Sequence, residues 1–372
     1  MRTRLSTYFS AVWLLLSCPY GLVAQNRLDP RSTMNINLPE DSPLHVVSAD
    51  WGESTASERG GALLLDLHTT LAFKNNSHQK VRGVTLLVRA QDATPGGKAS
   101  VTVPSLNVGP GETFPVRIDL RLLRPLAGPP GPTVEVELDG LLFDDLSFYG
   151  PNTLNSRRSM LVWEHEARRD RRFFRNVLET GGSEGLRDEM LNSLKRQADR
   201  AAMDARVTQS GRATTVTTER ELRFAFLDVP GSPVALRDGS AGLNGEEVRR
   251  PRMSLANMTT KPLRSMEIGW MVRDSRGRSY LAGSIPVEVP VGPRGKTTVI
   301  QDAVFRFAQP GGQPISVESL TGFVSNVEYQ DGQVWIPERI AKIPNPSPEE
   351  QRLAELYRKR GIQAVIEELR KF

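Results

Sequence analysis

Val84-Thr85-Leu86-Leu87-Val88-Arg89-Ala90-Gln91-Asp92 and Met266-Glu267-Ile268-Gly269-Trp270-Met271-Val272-Arg273-Asp274 are the two stretches on which the reading of the fold turns. They lie 182 residues apart. In the first, Val84, Leu86, Val88 and Ala90 are apolar; in the second, Met266, Ile268, Trp270 and Val272 occupy the same four positions. A period of two marks a strand with one face on a core and the other in water. Each strand ends on an aspartate, Asp92 or Asp274, and follows a polar turn led by Asn75 or Asn257.

The self-similarity continues downstream. Val108-Gly109-Pro110 matches Val291-Gly292-Pro293 at an offset of 183, and each precedes another strand. The first of these carries Phe114, Val116, Ile118 and Leu120; the second carries Val299, Val304 and Phe305. Leu138-Asp139-Gly140-Leu141-Leu142 matches Leu320-Thr321-Gly322-Phe323-Val324 at 182. A register held over this distance points to an internal repeat. Short strands separated by turns such as Pro95-Gly96-Gly97, Pro129-Pro130-Gly131-Pro132, Pro230-Gly231 and Pro310-Gly311-Gly312 suggest a sandwich or barrel. The composition agrees. Hydrophobic residues make up 38% of 372, enough for packed cores, and 26 prolines with 31 glycines suit a turn-rich β protein.

Between the repeats the texture becomes helical. Residues 156–207 contain no proline, and Leu161, Phe174, Val177, Leu178, then Leu186, Met190, Leu194 and Ala201, form apolar stripes on either side of Gly181-Gly182. Ser347-Pro348-Glu349-Glu350 reads as a capped helix start with a capping box closed by Glu350. Gly361 interrupts that helix as Gly182 does the first, and Leu353, Leu356, Tyr357, Val365 and Leu369 take the matching apolar positions. The expectation is a mainly β chain with α: two tandem Ig-like antiparallel β-sandwiches, each followed by a helical hairpin, from one internal duplication. The boundaries are a signal peptide at 1–24, sandwiches at 28–152 and 213–340, and hairpins at 156–207 and 347–371, with a polar linker at 208–218.

The N-terminus supplies the expectation of export. Arg2 and Arg4 precede an apolar run from Phe9 to Leu16, and Ala24 offers a small residue for cleavage. The run is too short for a membrane span, which needs about 20 residues. Leu15-Leu16-Ser17-Cys18 also resembles a bacterial lipobox, so cleavage after Ala24 and lipidation at Cys18 are both open. Cys18 is the only cysteine. A mature chain cleaved after Ala24 therefore has no disulfide or thiolate metal site. The net charge of +5 falls to +3 without Arg2 and Arg4, too diffuse for a nucleic-acid binder.

Asn75-Asn76-Ser77 through Asp92, then Gly109-Pro110-Gly111-Glu112 to Phe114, resembles FxLYD-type and related Ig-like domains of bacterial envelope proteins. The resemblance implies a sandwich fold in an extracytoplasmic setting and no catalytic residues. The appended helices are foreign to it.

Candidate sites are few. His45, His68, His78 and His165 show no metal-ligand spacing. Asp144 and Asp145 would point to opposite faces of a strand, with Asn326 and Val327 at the matched positions. Asp50, Asp139 and Asp331 lack the spacing of a calcium loop. Asn75-Asn76-Ser77 and Asn257-Met258-Thr259 are sequons, but a repeated tight turn explains them better. Arg168, Arg169, Arg171 and Arg172 are candidates for docking an acidic partner, although interleaved Glu164, Glu166 and Asp170 favour a solvated helix face laced with ion pairs. Trp51 and Trp335 are candidates for sugar contact. No cofactor is expected. The reading is a non-enzymatic protein-binding or scaffolding protein of the cell envelope, with another envelope or extracellular protein as partner. Carbohydrate or peptidoglycan binding is the alternative, and a hydrolase with a dispersed site comes third.

Overall fold

A computed structural model describes residues 27–28, 34–90, 98–125, 134–198, 204–209, 220–244, 246–301, 303–309, 313–339 and 346–372. The signal segment at 1–24, Cys18, Asp92, Ala201 and the turns at 95–97, 129–132 and 310–312 lie outside these residues. Of the described residues, strand accounts for 51% and helix for 23%. The mainly β expectation holds, with several sheets and two long helical elements.

The first half contains β1 (Arg27–Leu28), β2 (Met34–Asn37), β3 (Leu44–Asp50), β4 (Thr55–Arg59), β5 (Ala62–Asn75), β6 (Val81–Ala90), β7 (Lys98–Val103), β8 (Thr113–Pro125), β9 (Val134–Phe143) and β10 (Phe148–Tyr149). β5 is the spine of one sheet: β8 runs antiparallel along one edge, and β4 and β3 share the other. The second sheet runs β10-β9-β6-β7, with β2 parallel to β9. Leu65, Leu67, Phe73, Val116 and Ile118 from the first sheet meet Val84, Leu86, Val88, Val136 and Leu141 from the second in one core. Val84, Leu86, Val88, Val116 and Ile118 among them are residues that the sequence alternation assigns inward.

The second half contains β11 (Asp204–Gln209), β12 (Arg220–Phe226), β13 (Val234–Asn244), β14 (Glu247–Asn257), β15 (Leu263–Asp274), β16 (Ser279–Val291), β17 (Lys296–Ile300), β18 (Ala303–Ala308), β19 (Val317–Tyr329) and β20 (Val334–Trp335). One group runs β11-β18-β14-β13-β12 and another β19-β15-β16; a two-residue parallel pairing of β12 with β19 joins them. Trp270, Ile268, Val272, Phe305 and Phe307 centre its core.

Two readings of register and boundary change. Leu86 faces Leu138, but Ile268 faces Val324, so the partner strand is displaced by four residues from the alignment of Leu138 with Leu320. Two apolar strands of period two match equally well after an even slip, so the pattern alone cannot fix the register. The turn at Asp144-Asp145 therefore corresponds to Gln330-Asp331, not to Asn326-Val327. In each turn an aspartate accepts from the backbone N–H two residues on: Ser147 to Asp145 at 2.8 Å and Gln333 to Asp331 at 2.9 Å. The second change concerns residues 204–207, read as helix, and 208–209, read as linker. They form β11, paired antiparallel with β18 over six residues. The β-branched Val207 and Thr208 and an open sheet edge favour strand there.

α1 (Ser156–Ala198) and α2 (Pro348–Arg370) each consist of two helices meeting at a glycine. Gly182 has φ 64° and ψ −163°, and Gly361 has φ 77° and ψ −177°, conformations open to glycine alone. The chain turns back at Gly361, because Arg352 and Glu368 bond at 2.6 Å. Sixteen residues of straight helix would separate them by about 24 Å. Ser347 caps α2 by accepting from the Glu350 N–H at 3.1 Å. The Glu350 carboxylate goes to Ser193, Arg196 and Arg339, which leaves the box with only its serine half.

Both turn asparagines are buried. Asn75 donates to the Gln79 and Val108 carbonyls at 2.8 and 3.2 Å, and its Oδ1 accepts from the Ser77 N–H and hydroxyl at 3.0 and 2.6 Å. Asn257 donates to the Lys261 and Gly292 carbonyls at 2.8 and 3.0 Å and accepts from the Thr259 N–H and hydroxyl at 2.9 and 2.8 Å. Every polar group of each side chain is engaged, so the sequon nitrogens serve the corner. Replacing either asparagine by alanine removes four hydrogen bonds from a buried corner, although each carbonyl keeps one other donor: the Ser77 hydroxyl and Val81 N–H in the first half, the Thr259 hydroxyl and Gly295 N–H in the second. It should cost about 2–4 kcal/mol in denaturant unfolding; a loss below about 0.5 kcal/mol would contradict this role.

Candidate functional surface

Two adjacent charged residues of α1, Asp170 and Arg171, are buried. Arg171 is buried between Glu164 (3.2 Å) and Glu349 of α2 (3.7 Å), and its guanidinium lies 3.9 Å from the centre of the Phe372 ring. Its neighbour Asp170, also buried, faces the other way. It pairs with Arg169 at 2.9 Å and Arg339 at 3.1 Å and accepts from the Ser347 hydroxyl at 2.5 Å. Arg339 also pairs with Glu350 and lies over the Phe173 ring. Adjacent helical residues point about 100° apart, which is how one helix grips two sides of its surroundings.

α1 also grips both β units. Arg168 donates to the Asp144 carbonyl at 2.6 Å, and Met160 and Leu161 pack on Leu142 of β9. Arg158 pairs with Glu267 and donates to Ser265 at 3.1 Å on β15, while Arg169 donates to the Pro337 carbonyl at 2.8 Å. Arg168, Arg169 and Arg171 are thus engaged within the chain; Arg172 is exposed. The run is laced with ion pairs, as the interleaved acids suggest, but most of it is enclosed. Sequence could not show this, because the partners Glu349, Glu350 and Arg339 lie some 170 residues away.

Glu166, half-buried on α1, has its carboxyl pushed up to about 7. Burial is the main cause, Arg169 opposes it, and Asp170 and Glu267 add to it. Burial likewise lowers His165 on the same helix.

The other candidates are dispersed. Trp51 packs against the first core and Trp335 against the second, both half-buried. Exposed His68 bonds Asp119 at 2.8 Å. Asp50 accepts from the Gly52 N–H at 3.0 Å, and Asp139 from the Thr153 hydroxyl at 2.6 Å. Among the described residues no three His, Cys, Asp or Glu side chains gather as a metal site. No helix there is long and apolar enough to cross a membrane.

An open cleft lies apart from all of these candidates, and sequence reading missed it. It holds about 400 Å³ on the outer face of β12, β13 and β14, lined by Arg220, Glu221, Ser240, Gly242, Arg249, Arg250, Arg252 and Ile300. Arg249 pairs with Glu247 at 2.6 Å. Arg220, Arg250 and Arg252 are exposed, with no carboxylate partner among the described residues.

No family model matches this chain. No curated protein matches it either. Among solved structures it is similar to red sea bream transglutaminase (10% identity, 76% of this chain and 31% of that one, TM-score 0.12). A β-glucosidase from Kluyveromyces marxianus gives 8%, 71%, 45% and 0.17, and a two-domain protein of unknown function from Bacteroides fragilis gives 8%, 78%, 91% and 0.10. The chain spans less than half of the first two. Likenesses of this size carry no argument about fold or function.

Glu166 generates a pH dependence. Its carboxyl titrates near 7 in the folded chain and near 4.5 when unfolded. Between these values the folded state holds the extra proton, so its stabilising share is full below pH 4.5 and lost as pH rises through 7. Glu166→Gln should therefore gain on the wild type by about 2 kcal/mol between pH 5 and 8 in parallel urea melts. His165 titrates in both proteins and drops out of the difference. A constant difference would refute the assignment.

Proposed function

We propose that this chain is an exported, non-enzymatic binding or scaffolding protein of the cell envelope. In this reading one unit, an Ig-like sandwich followed by a helical hairpin, was duplicated, and the two copies are held as one body. Recurrent buried corners at Asn75 and Asn257, matched aspartate turns at Asp145 and Asp331, and glycine breaks at Gly182 and Gly361 support the duplication. The charged N-terminal segment ending near Ala24, with Cys18 as a second processing point, supports export.

The observation that carries binding is the arginine cleft. Arg220, Arg250 and Arg252 share one open face, with no carboxylate partner among the described residues. The acids Asp50, Asp139, Asp145 and Asp331 act in turns and loops, which favours a scaffold over a hydrolase. Trp51 and Trp335 lean on separate cores, which weakens their case as a shared sugar platform.

Mass spectrometry of the mature chain should give an N-terminus after Ala24 or a lipidated Cys18. Cross-linking in the envelope fraction should capture one dominant protein partner that Arg250→Glu/Arg252→Glu loses. An intact Met1 in the cytoplasmic fraction, or capture indifferent to the double variant, would overturn the proposal.

A further inference from the structure

The cleft exists because β14 breaks the alternation that β5 keeps. β5 alternates between core and surface through nearly all of its 14 residues. In β14, Arg249 faces Gly242 and Arg252 faces Ser240, so Arg250 and Pro251 together oppose the single Ala241. That is a bulge. In a regular strand residues 249 and 252 would point to opposite faces, because their separation is odd. The extra residue returns both to the outer face. Arg250, at φ 48°, is held in the left-handed region that non-glycine residues avoid, and it is exposed beside them. Such conformations carry a cost, and the unbroken β5 shows that a long strand beside the corner asparagine forms without one.

Chemistry narrows the occupant. Four arginines and one glutamate line the cleft. Guanidinium forks pair bidentately with carboxylates and phosphates. β13 is paired on both sides, with β12 and β14, so side chains supply most of the donors a ligand would meet. The floor of Ser240, Ala241 and Gly242 is small enough for a main chain to lie on it. Ile300, 52% exposed at the β17 rim, offers an apolar contact that inorganic or sugar phosphate would not use. From these features we infer that the cleft docks an acidic, leucine- or isoleucine-containing peptide segment of the partner protein. This rests on the binding reading above and gives its partner a chemistry.

The test uses purified full-length protein and a fluorescein-labelled peptide of glutamates flanking two leucines, followed by anisotropy. The peptide should bind, with affinity falling as salt rises, and a version with glutamine for glutamate should bind at least tenfold more weakly. Arg250→Glu/Arg252→Glu should lose at least tenfold. Arg360→Glu/Arg370→Glu, the same charge change on exposed positions of α2, should stay within twofold of wild type, and circular dichroism should show all three proteins folded. Equal binding of the two peptides, equal loss in both double variants, no binding at all, or displacement by tripolyphosphate at concentrations below the peptide's own dissociation constant would each overturn the inference. If envelope cross-linking still captures a partner while the peptide fails, the fault lies with the cleft and its chemistry and not with the binding reading.

Discussion

The contact on which the arrangement depends is the buried ionic joint between α1 and α2, where Asp170 and Arg171 reach Ser347, Arg339 and Glu349. Charges enclosed this way gain little net stability over an apolar core, but losing one partner strands the other at a cost of several kcal/mol. The joint therefore acts chiefly as a constraint on geometry. It admits one arrangement of the hairpins. Because Arg158, Arg168 and Arg169 of the same helix hold β15, the Asp144 turn and the Pro337 segment, it also fixes the two β units against each other. An apolar cluster beside it, with Phe174, Leu186 and Met190 against Leu353, Val365 and Leu369, provides the burial that drives association.

Within each β unit a different constraint applies. Strand ends must place their polar groups, and a single buried asparagine does so in each half by bonding two carbonyls and the serine or threonine two residues on. A side chain with two donors and an acceptor suits that corner. Beyond this corner the two halves differ. β5 carries a regular ladder along its whole length, whereas β14 admits a bulge that gathers Arg249, Arg250 and Arg252 on one face.

Much of the β architecture was legible because alternation records burial directly. Val84, Leu86 and Val88, and Met266, Ile268, Trp270 and Val272, all lie in cores. Glycine breaks in the helices were equally plain. Strand register was not, since an even slip preserves the pattern, and β11 looked helical because its pairing partner is a distant edge. The ionic joint was illegible for a related reason. Arg171 reads as surface unless Glu349 is known to face it, and nothing local says so. The cleft left one local trace, the run Arg249-Arg250-Pro251-Arg252, where a proline and consecutive charges interrupt an otherwise alternating strand.

Hydrogen exchange on Glu349→Ala tests the joint most directly. If the halves are locked through it, amides 160–178 of α1 should lose protection together with those of α2, although the substitution lies in α2 alone. Faster exchange confined to α2, with α1 as protected as in the wild type, would show that the two hairpins are held independently and that the joint does not govern the arrangement.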